Sequence, residues 1–347
     1  MKKLLSSLTL AACAVAATLP SFAVADNPIR GNIRVVIGSD STGGDTYQAA
    51  SLIANAMSER MKTNVRVDAV GASQAFRFLD RVSNGSTIMF FHDQSYLGNL
   101  YGIRGYEDIF EKYTIGQTIT INPGDAFVVP KNSPYNNIQE LIDAAGQGER
   151  IRVAIQPGGV SEIGYTALKN AVKLLYPGQE GNVVAVNTGS QADKNQQLFD
   201  RQADIIHGSI QANEQYTRLP EDDQRAMRFL WLTAKNETLS QADPAGFGGT
   251  SRDELLQFVE PINVVPMTAD NNFTFDKEFF FLYNKDTDPK VLAYYDQVLT
   301  DIFAEGKVQE EMKKAFFIPN FRPASEAQEY LSAKKDAYRA IIEAIKE

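Results

Sequence analysis

Between residues 32 and 91, apolar strand-like runs alternate with helix-like ones, and this alternation leaves few folds open. "NIRVVIG" (32–38) is a buried-strand run, and from Tyr47 the apolar residues Tyr47, Ala50, Ala54, Met57 and Met61 keep helical spacing. "NVRVDAV" (64–70) alternates as a strand does, residues 73–83 are helical in pattern, and "TIMFF" (87–91) is again a buried strand. Strand–helix–strand units joined in this way fold as a parallel sheet with right-handed crossovers.

A second unit of the same kind starts near residue 126. Its expected strands are "AFVVP" (126–130), "IRVAIQ" (151–156), "NVVAVN" (182–187), "ADIIHG" (203–208) and "RFLWL" (228–232). Helices are expected at 136–145, 161–175 and 191–199. Residues 240–276 are loop-rich, with "INVVP" (262–266) the one strand expected there. "KEFFFLYN" (277–284) is a strongly apolar strand, and helices follow at 288–304, 307–315 and 325–346, the last with Ser325 and Gln328 at capping-box spacing. Phe279, Phe280, Phe281 and Trp231 are expected in the core. The expected architecture is α/β: two domains, each a mostly parallel sheet flanked by helices, joined by two crossing strands. The expected division is 26–127 with 235–347, and 128–234; a length of 347 residues suits two domains.

The first 25 residues, "MKKLLSSLTLAACAVAATLPSFAVA", have a basic start, an apolar run and an Ala-Val-Ala cleavage pattern, which predicts a secretory signal peptide and a periplasmic mature chain. Cys13 is the one cysteine and lies in that segment, so disulfides and cysteine-ligated metals are not expected; a lipid anchor at Cys13 is the alternative to cleavage at Ala25. Removing Lys2 and Lys3 takes the formal charge from −9 to −11. An acidic surface argues against nucleic acid and anionic membranes as partners.

In open α/β sheets, ligands sit beyond the carboxyl ends of the strands. Two loops there are Gly-Gly turns that open a helix: Ser41-Thr42-Gly43-Gly44-Asp45 and Gly158-Gly159-Val160-Ser161. Free N–H groups at a helix start, with the helix dipole behind them, can hold a carboxylate without any arginine. Gly43 and Gly159 are expected at exposed loop tips. Asp45, with Gln48 three residues on, also suits a helix cap, and Glu162 places a negative charge beside the second turn. Catalytic signatures are few. There is no phosphate-binding loop and no dinucleotide fingerprint, "GVSEIG" has one residue too many for a nucleophile elbow, and His92 and His207 lack a spaced metal-ligand partner.

Taken in order, "STGGDTYQAA", "FFHDQSYLGNLYG", "QPGGVSEIGYTAL", "NTGSQADKNQQLFDRQADII" and the closing helices from Asp288 to Leu331 resemble the periplasmic solute-binding proteins of tripartite tricarboxylate transporters. The resemblance implies a small organic carboxylate or dicarboxylate held between two α/β domains that close on it, a membrane permease as partner, a monomer, no cofactor and no enzymatic activity. It assigns Ser41, Thr42, Gly43, Gly44 and Asp45 to one jaw and Gly158, Gly159, Val160 and Ser161, beside Glu162, to the other. Thr188, Gly189 and Ser190 would lie nearby, with His92, Gln94, Ser95, His207 and Ser209 on the cleft wall. The departures from the family pattern are the early acid at Asp45, Ala50 where an arginine is usual, "DAVGASQA" after the second strand, and Glu162. A periplasmic hydrolase using Ser161 or a histidine, or a ligand-sensing receptor on the same fold, are the alternatives.

Overall fold

The computed structural model describes residues 27–346. The expected signal peptide and Cys13 lie outside the described residues.

The first unit runs β1 (Ile33–Ile37), α1 (Asp45–Met61), β2 (Val65–Ala69), α2 (Ala72–Arg81), β3 (Thr87–His92), α3 (Gln94–Leu100), α4 (Ile109–Lys112) and β4 (Tyr113–Asn122). The second runs β5 (Ala126–Pro130), α5 (Ile138–Gly146), β6 (Ile151–Ile155), α6 (Val160–Leu175), β7 (Val183–Asn187), α7 (Gln191–Phe199), β8 (Ile205–Gly208), α8 (Ile210–Thr217) and β9 (Met227–Leu232). After α9 (Asn236–Leu239) and α10 (Arg252–Leu255) the chain returns through β10 (Lys277–Asn284). It closes with α11 (Pro289–Glu305), α12 (Lys307–Lys314), β11 (Ile318–Arg322) and α13 (Ala324–Lys346).

Two sheets result, ordered β11-β4-β10-β3-β1-β2 and β7-β6-β8-β5-β9. In each, the strand–helix–strand units make a parallel trio, β3-β1-β2 and β7-β6-β8. Antiparallel strands extend both: β10, β4 and β11 in the first sheet, β5 and β9 in the second. Parallel pairing thus dominates only the half of each sheet built by crossover helices.

Local sequence explains the helix starts. Asp288 accepts from the Lys290 N–H at 2.8 Å, with Pro289 in the first turn of α11. Ser190 and Ser209 cap α7 and α8 in the same way. The capping box expected at Ser325 and Gln328 is displaced: α13 starts one residue earlier, and Asp296, from α11, accepts the Ala324 N–H at 3.1 Å.

The aromatic run of β10 is core, as expected. Phe279 stacks on Phe90 at 5.6 Å, and Phe279, Phe280 and Phe281 are fully buried. In the second sheet Trp231 stacks on Phe127 at 4.8 Å. Gly38, at the carboxyl end of β1, touches the Phe91 ring, and a Cβ there would sit 2.1 Å from it.

The two sheets are joined where β4 passes into β5 and where the chain returns to β10. These crossings are bonded to each other: the Thr233 N–H donates to Asp125 O (3.0 Å), the Asp125 N–H to Thr233 Oγ1 (2.8 Å), and the Phe275 N–H to Thr233 O (2.7 Å). One expectation needs correction here. "INVVP" (262–266) is not a strand; only Pro266 makes a bridge, to Asn272, because the prolines at 261 and 266 each withhold a ladder N–H. The segment from 235 to about 273 contacts both halves of the molecule: Phe247 lies 6.1 Å from Phe316 and Phe273 6.5 Å from Tyr338, and other contacts reach the second sheet. Phe258 packs 5.7 Å from Phe229 of β9, the Gly249 N–H donates to Glu214 of α8 at 2.7 Å, and Phe273 lies 5.9 Å from Trp231.

Candidate functional site

The carboxyl ends of β1, β3, β6 and β8 converge on a cleft of about 460 Å³ between the sheets. Of the residues singled out from sequence, Ser41, Gly44, Asp45, His92, Gln94, Val160, Ser161, Gly189, Ser190, His207 and Ser209 line it. Thr42, Gly43, Ser95, Gly158, Gly159, Glu162 and Thr188 are not among the lining residues.

In the first loop Gly44, not Asp45, occupies the cap position of α1, and Asp45 is the first helical residue. The Asp45 carboxylate turns inward, where Oδ2 accepts from Asn122 Nδ2 and from Lys277 Nζ, each at 2.8 Å. The Gly43 N–H donates to Ser41 Oγ at 3.3 Å, which turns this amide back into its own loop.

The second loop is closed in a similar manner. The Gly158 N–H donates to the Glu162 carboxylate, and the Gly159 N–H to Gln156 O at 3.0 Å. Gly159 is buried rather than at an exposed tip. Gly158 has φ +71° and abuts Ile103, whose Cγ1 would lie 2.4 Å from a Cβ. Ser161 Oγ accepts from the Gln156 N–H at 2.8 Å, so this hydroxyl ties the loop shut. In the third loop the Gly189 N–H donates to Asp193 Oδ2 at 3.2 Å, and Thr188 Oγ1 donates to Ile155 O at 2.8 Å. The amides of Gly43, Gly158, Gly159 and Gly189 are therefore engaged within their own loops, whereas the starts of α1 and α6 carry no side-chain cap. Each helix that opens on the cleft from these turns carries an acid in its first turn: Asp45, Glu162 and Asp193.

The lysines of the cleft come from elsewhere. Lys277, the first residue of β10, and Lys194, on α7, are both buried and both line it. For Lys277, burial opposes the charge, but Asp45 first and Asp125 second hold its pKa above the ordinary lysine value. For Lys194, burial prevails over the attraction of Asp125, and Lys277 repels it, so its pKa falls to about 8. Asp125 lies in the crossing between β4 and β5, 1% exposed, with Oδ2 3.4 Å from His207 Nε2. The pair is misaligned for hydrogen bonding, and Asp125 Oδ2 and both ring nitrogens of His207 lack a hydrogen-bond partner among the described residues. Burial is the main cause that pushes His207 below the usual histidine value, with Asp125 opposing. His92 is pushed well down by burial, then by Lys277 and Lys334; its Nδ1 accepts from the Gln94 N–H at 3.3 Å. Both imidazoles are thus neutral near pH 7.

Sequence reading missed Lys277, Lys194, Asp125 and Asn122. The one available signal was Lys277, a lysine opening an otherwise apolar strand. Lys194 sits in the polar run "QADKNQQ", where nothing distinguishes it from a solvated residue. No group of three or more His, Cys, Asp and Glu residues suited to a metal ion occurs among the described residues, and no described helix is long and apolar enough to cross a membrane.

No protein-family model matches the chain, and no curated protein matches it. Solved structures do. Rpa4515 of R. palustris with adipate superposes with a TM-score of 0.71 at 14% identity, covering 91% of this chain and 98% of that one. The chain has the fold of two-domain periplasmic binding proteins. The periplasmic binding protein BugD, of the same fold, aligns at a TM-score of 0.64 and 19% identity over 91% of this chain and 97% of its own. MatC of Rhodopseudomonas palustris with bound malate gives 0.64 at 16% identity, over 92% and 99%. In such a fold the inter-sheet cleft is the concave surface where the strand ends of both sheets meet.

Proposed function

We propose that this protein is an extracytoplasmic solute-binding protein of the tripartite tricarboxylate transporter type. It captures a small organic carboxylate in the inter-sheet cleft and delivers it to membrane permease subunits. The observation that carries the reading is the pair of buried lysines, Lys194 and Lys277, lining a cleft of about 460 Å³ at the strand ends. Ammonium groups in a site shielded from water attract an anion far more strongly than exposed ones do. Support from analogy comes from the fold, which is shared with proteins solved with adipate and malate.

In this reading the protein is a monomer without enzymatic activity or cofactor, exported by cleavage of its first 25 residues. Ligand capture closes the two domains about the Asp125–Thr233–Phe275 crossings. Sheet membership supports a first domain of β1–β4 with β10–α13, and a second that includes the segment from 235 to about 273 beside β5–β9.

The test is thermal unfolding against a panel of mono- and dicarboxylates. A ligand at 100 times its dissociation constant adds about 2.7 kcal/mol of stability. A flat response to every acid in the panel would overturn the proposal.

A further inference from the structure

The cleft offers its charges unevenly. Lys277 is matched by Asp45 at 2.8 Å. Lys194, 5% exposed, makes no ion pair within 4 Å among the described residues. Lining the same cleft are three buried polar atoms without a hydrogen-bond partner among the described residues: Asp125 Oδ2 and the two ring nitrogens of His207. Such atoms cost free energy unless something fills their hydrogen bonds.

These groups make two unlike subsites. An unmatched ammonium suits one carboxylate. A carboxylate beside a neutral imidazole suits a group that donates one hydrogen bond and accepts another, which is what a hydroxyl does. A second carboxylate there would face the buried Asp125 anion at close range. An ammonium on the ligand would be attracted by Asp125 but repelled by Lys194, whose charge acts on the same carboxylate, and it could accept no hydrogen bond from His207.

We propose that the cleft selects an organic monocarboxylate bearing a hydroxyl group over dicarboxylates, with Lys194 taking the carboxylate and the Asp125–His207 pair taking the hydroxyl. This inference rests on the carboxylate-binding reading above and narrows it. Gln191 and Ser209, which also line the cleft, flank the two subsites from α7 and from the cap of α8.

The experiment is calorimetric titration of the exported chain at pH 7 with two matched series. One is butanoate, 2-, 3- and 4-hydroxybutanoate, 4-aminobutanoate and succinate; the other is hexanoate, 6-hydroxyhexanoate, 6-aminohexanoate and adipate. In the series that binds, a hydroxy acid is expected to bind at least about tenfold tighter than the parent acid, the amino acid and the diacid. Lys194→Met is expected to weaken every acid by at least about tenfold. Asp125→Asn, which keeps the shape and removes the charge, is expected to narrow the preference for the hydroxy acid over the diacid by at least about tenfold. Cooperative unfolding of each variant confirms its fold; if Lys194→Met does not fold, Asp125→Asn decides. A diacid or amino acid binding tightest, or Asp125→Asn leaving the preference intact, overturns this inference while leaving a carboxylate-binding protein in place. Binding by no acid of either series overturns both.

Discussion

Lys277 Nζ lies 2.8 Å from Asp45 Oδ2, joining the first residue of β10 to the first residue of α1 inside the cleft wall. Both residues are buried, so each charge depends on the other. Removing one partner of such a pair costs about 3–5 kcal/mol, because the survivor stays buried and unpaired. Lys277→Met is therefore expected to lower the urea midpoint strongly, and Lys277→Met with Asp45→Asn to recover part of the loss. The folded pKa of Lys277 is raised, so its contribution is complete below the unfolded lysine value of about 10.4 and disappears as pH rises through the folded value. The gap between wild type and Lys277→Met should narrow only above that pH.

Glu278, the next residue, points to the opposite face of β10, where its carboxylate accepts from Asn320 Nδ2 at 2.8 Å and Tyr330 Oη at 2.9 Å. Burial raises its pKa to about 7; Lys334 opposes the rise and Asp93 adds to it. A carboxyl raised in the folded state stabilises below its unfolded value of about 4.3 and loses that contribution as pH climbs to the folded value. Glu278→Gln is expected to be more stable than wild type at pH 8, by about 1–3 kcal/mol, with the advantage gone below about pH 4. Denaturant melts at the two pH values check it.

His92 acts in the other direction. Its folded pKa is depressed by burial and by Lys277 and Lys334, so its neutral form is favoured in the fold. Stability from this group is full above the unfolded value of about 6.5 and falls as pH drops below it. His92→Gln, which keeps an acceptor for the Gln94 N–H, should flatten the melting temperature between pH 6.5 and 5. An unchanged acid slope would contradict the assignment.

The glycines of the two turns should separate cleanly. Gly43 is exposed, and a Cβ there meets only Ser41 Oγ at 3.9 Å. Gly43→Ala should change stability by less than about 0.5 kcal/mol and bind acids as wild type does. Gly158→Val meets Ile103 and a positive φ, and should lose about 2 kcal/mol or more in a denaturant melt.

Much of the fold was legible from periodicity. The strand–helix–strand units appear at nearly the residues expected, because apolar spacing reports which side of an element faces the core. Helix α7 runs over the expected residues 191–199. β4 was not: "YTIGQTITIN" puts Gln117, Thr118, Thr120 and Asn122 in buried positions, and its neighbours Asp296, Asn320, Ile318 and Asp45 satisfy them only after folding. β11 shares that fate; β5, β9 and β10 were expected as strands, and only their antiparallel pairing, with partners distant in the chain, was not legible.

For the candidate site, the sequence pointed to the strand-end turns, and the tertiary structure decided which groups face the cleft. Gly-rich turns after apolar strands must lie at the carboxyl ends of a sheet, and those ends make the cleft. Which groups face the cavity is another matter. Lys277 and Asp45 are 232 residues apart in the chain, and Asp125 reaches His207 across two strands. Burial and proximity, which set the charge each group carries, are properties of the packed protein; local spacing does not encode them.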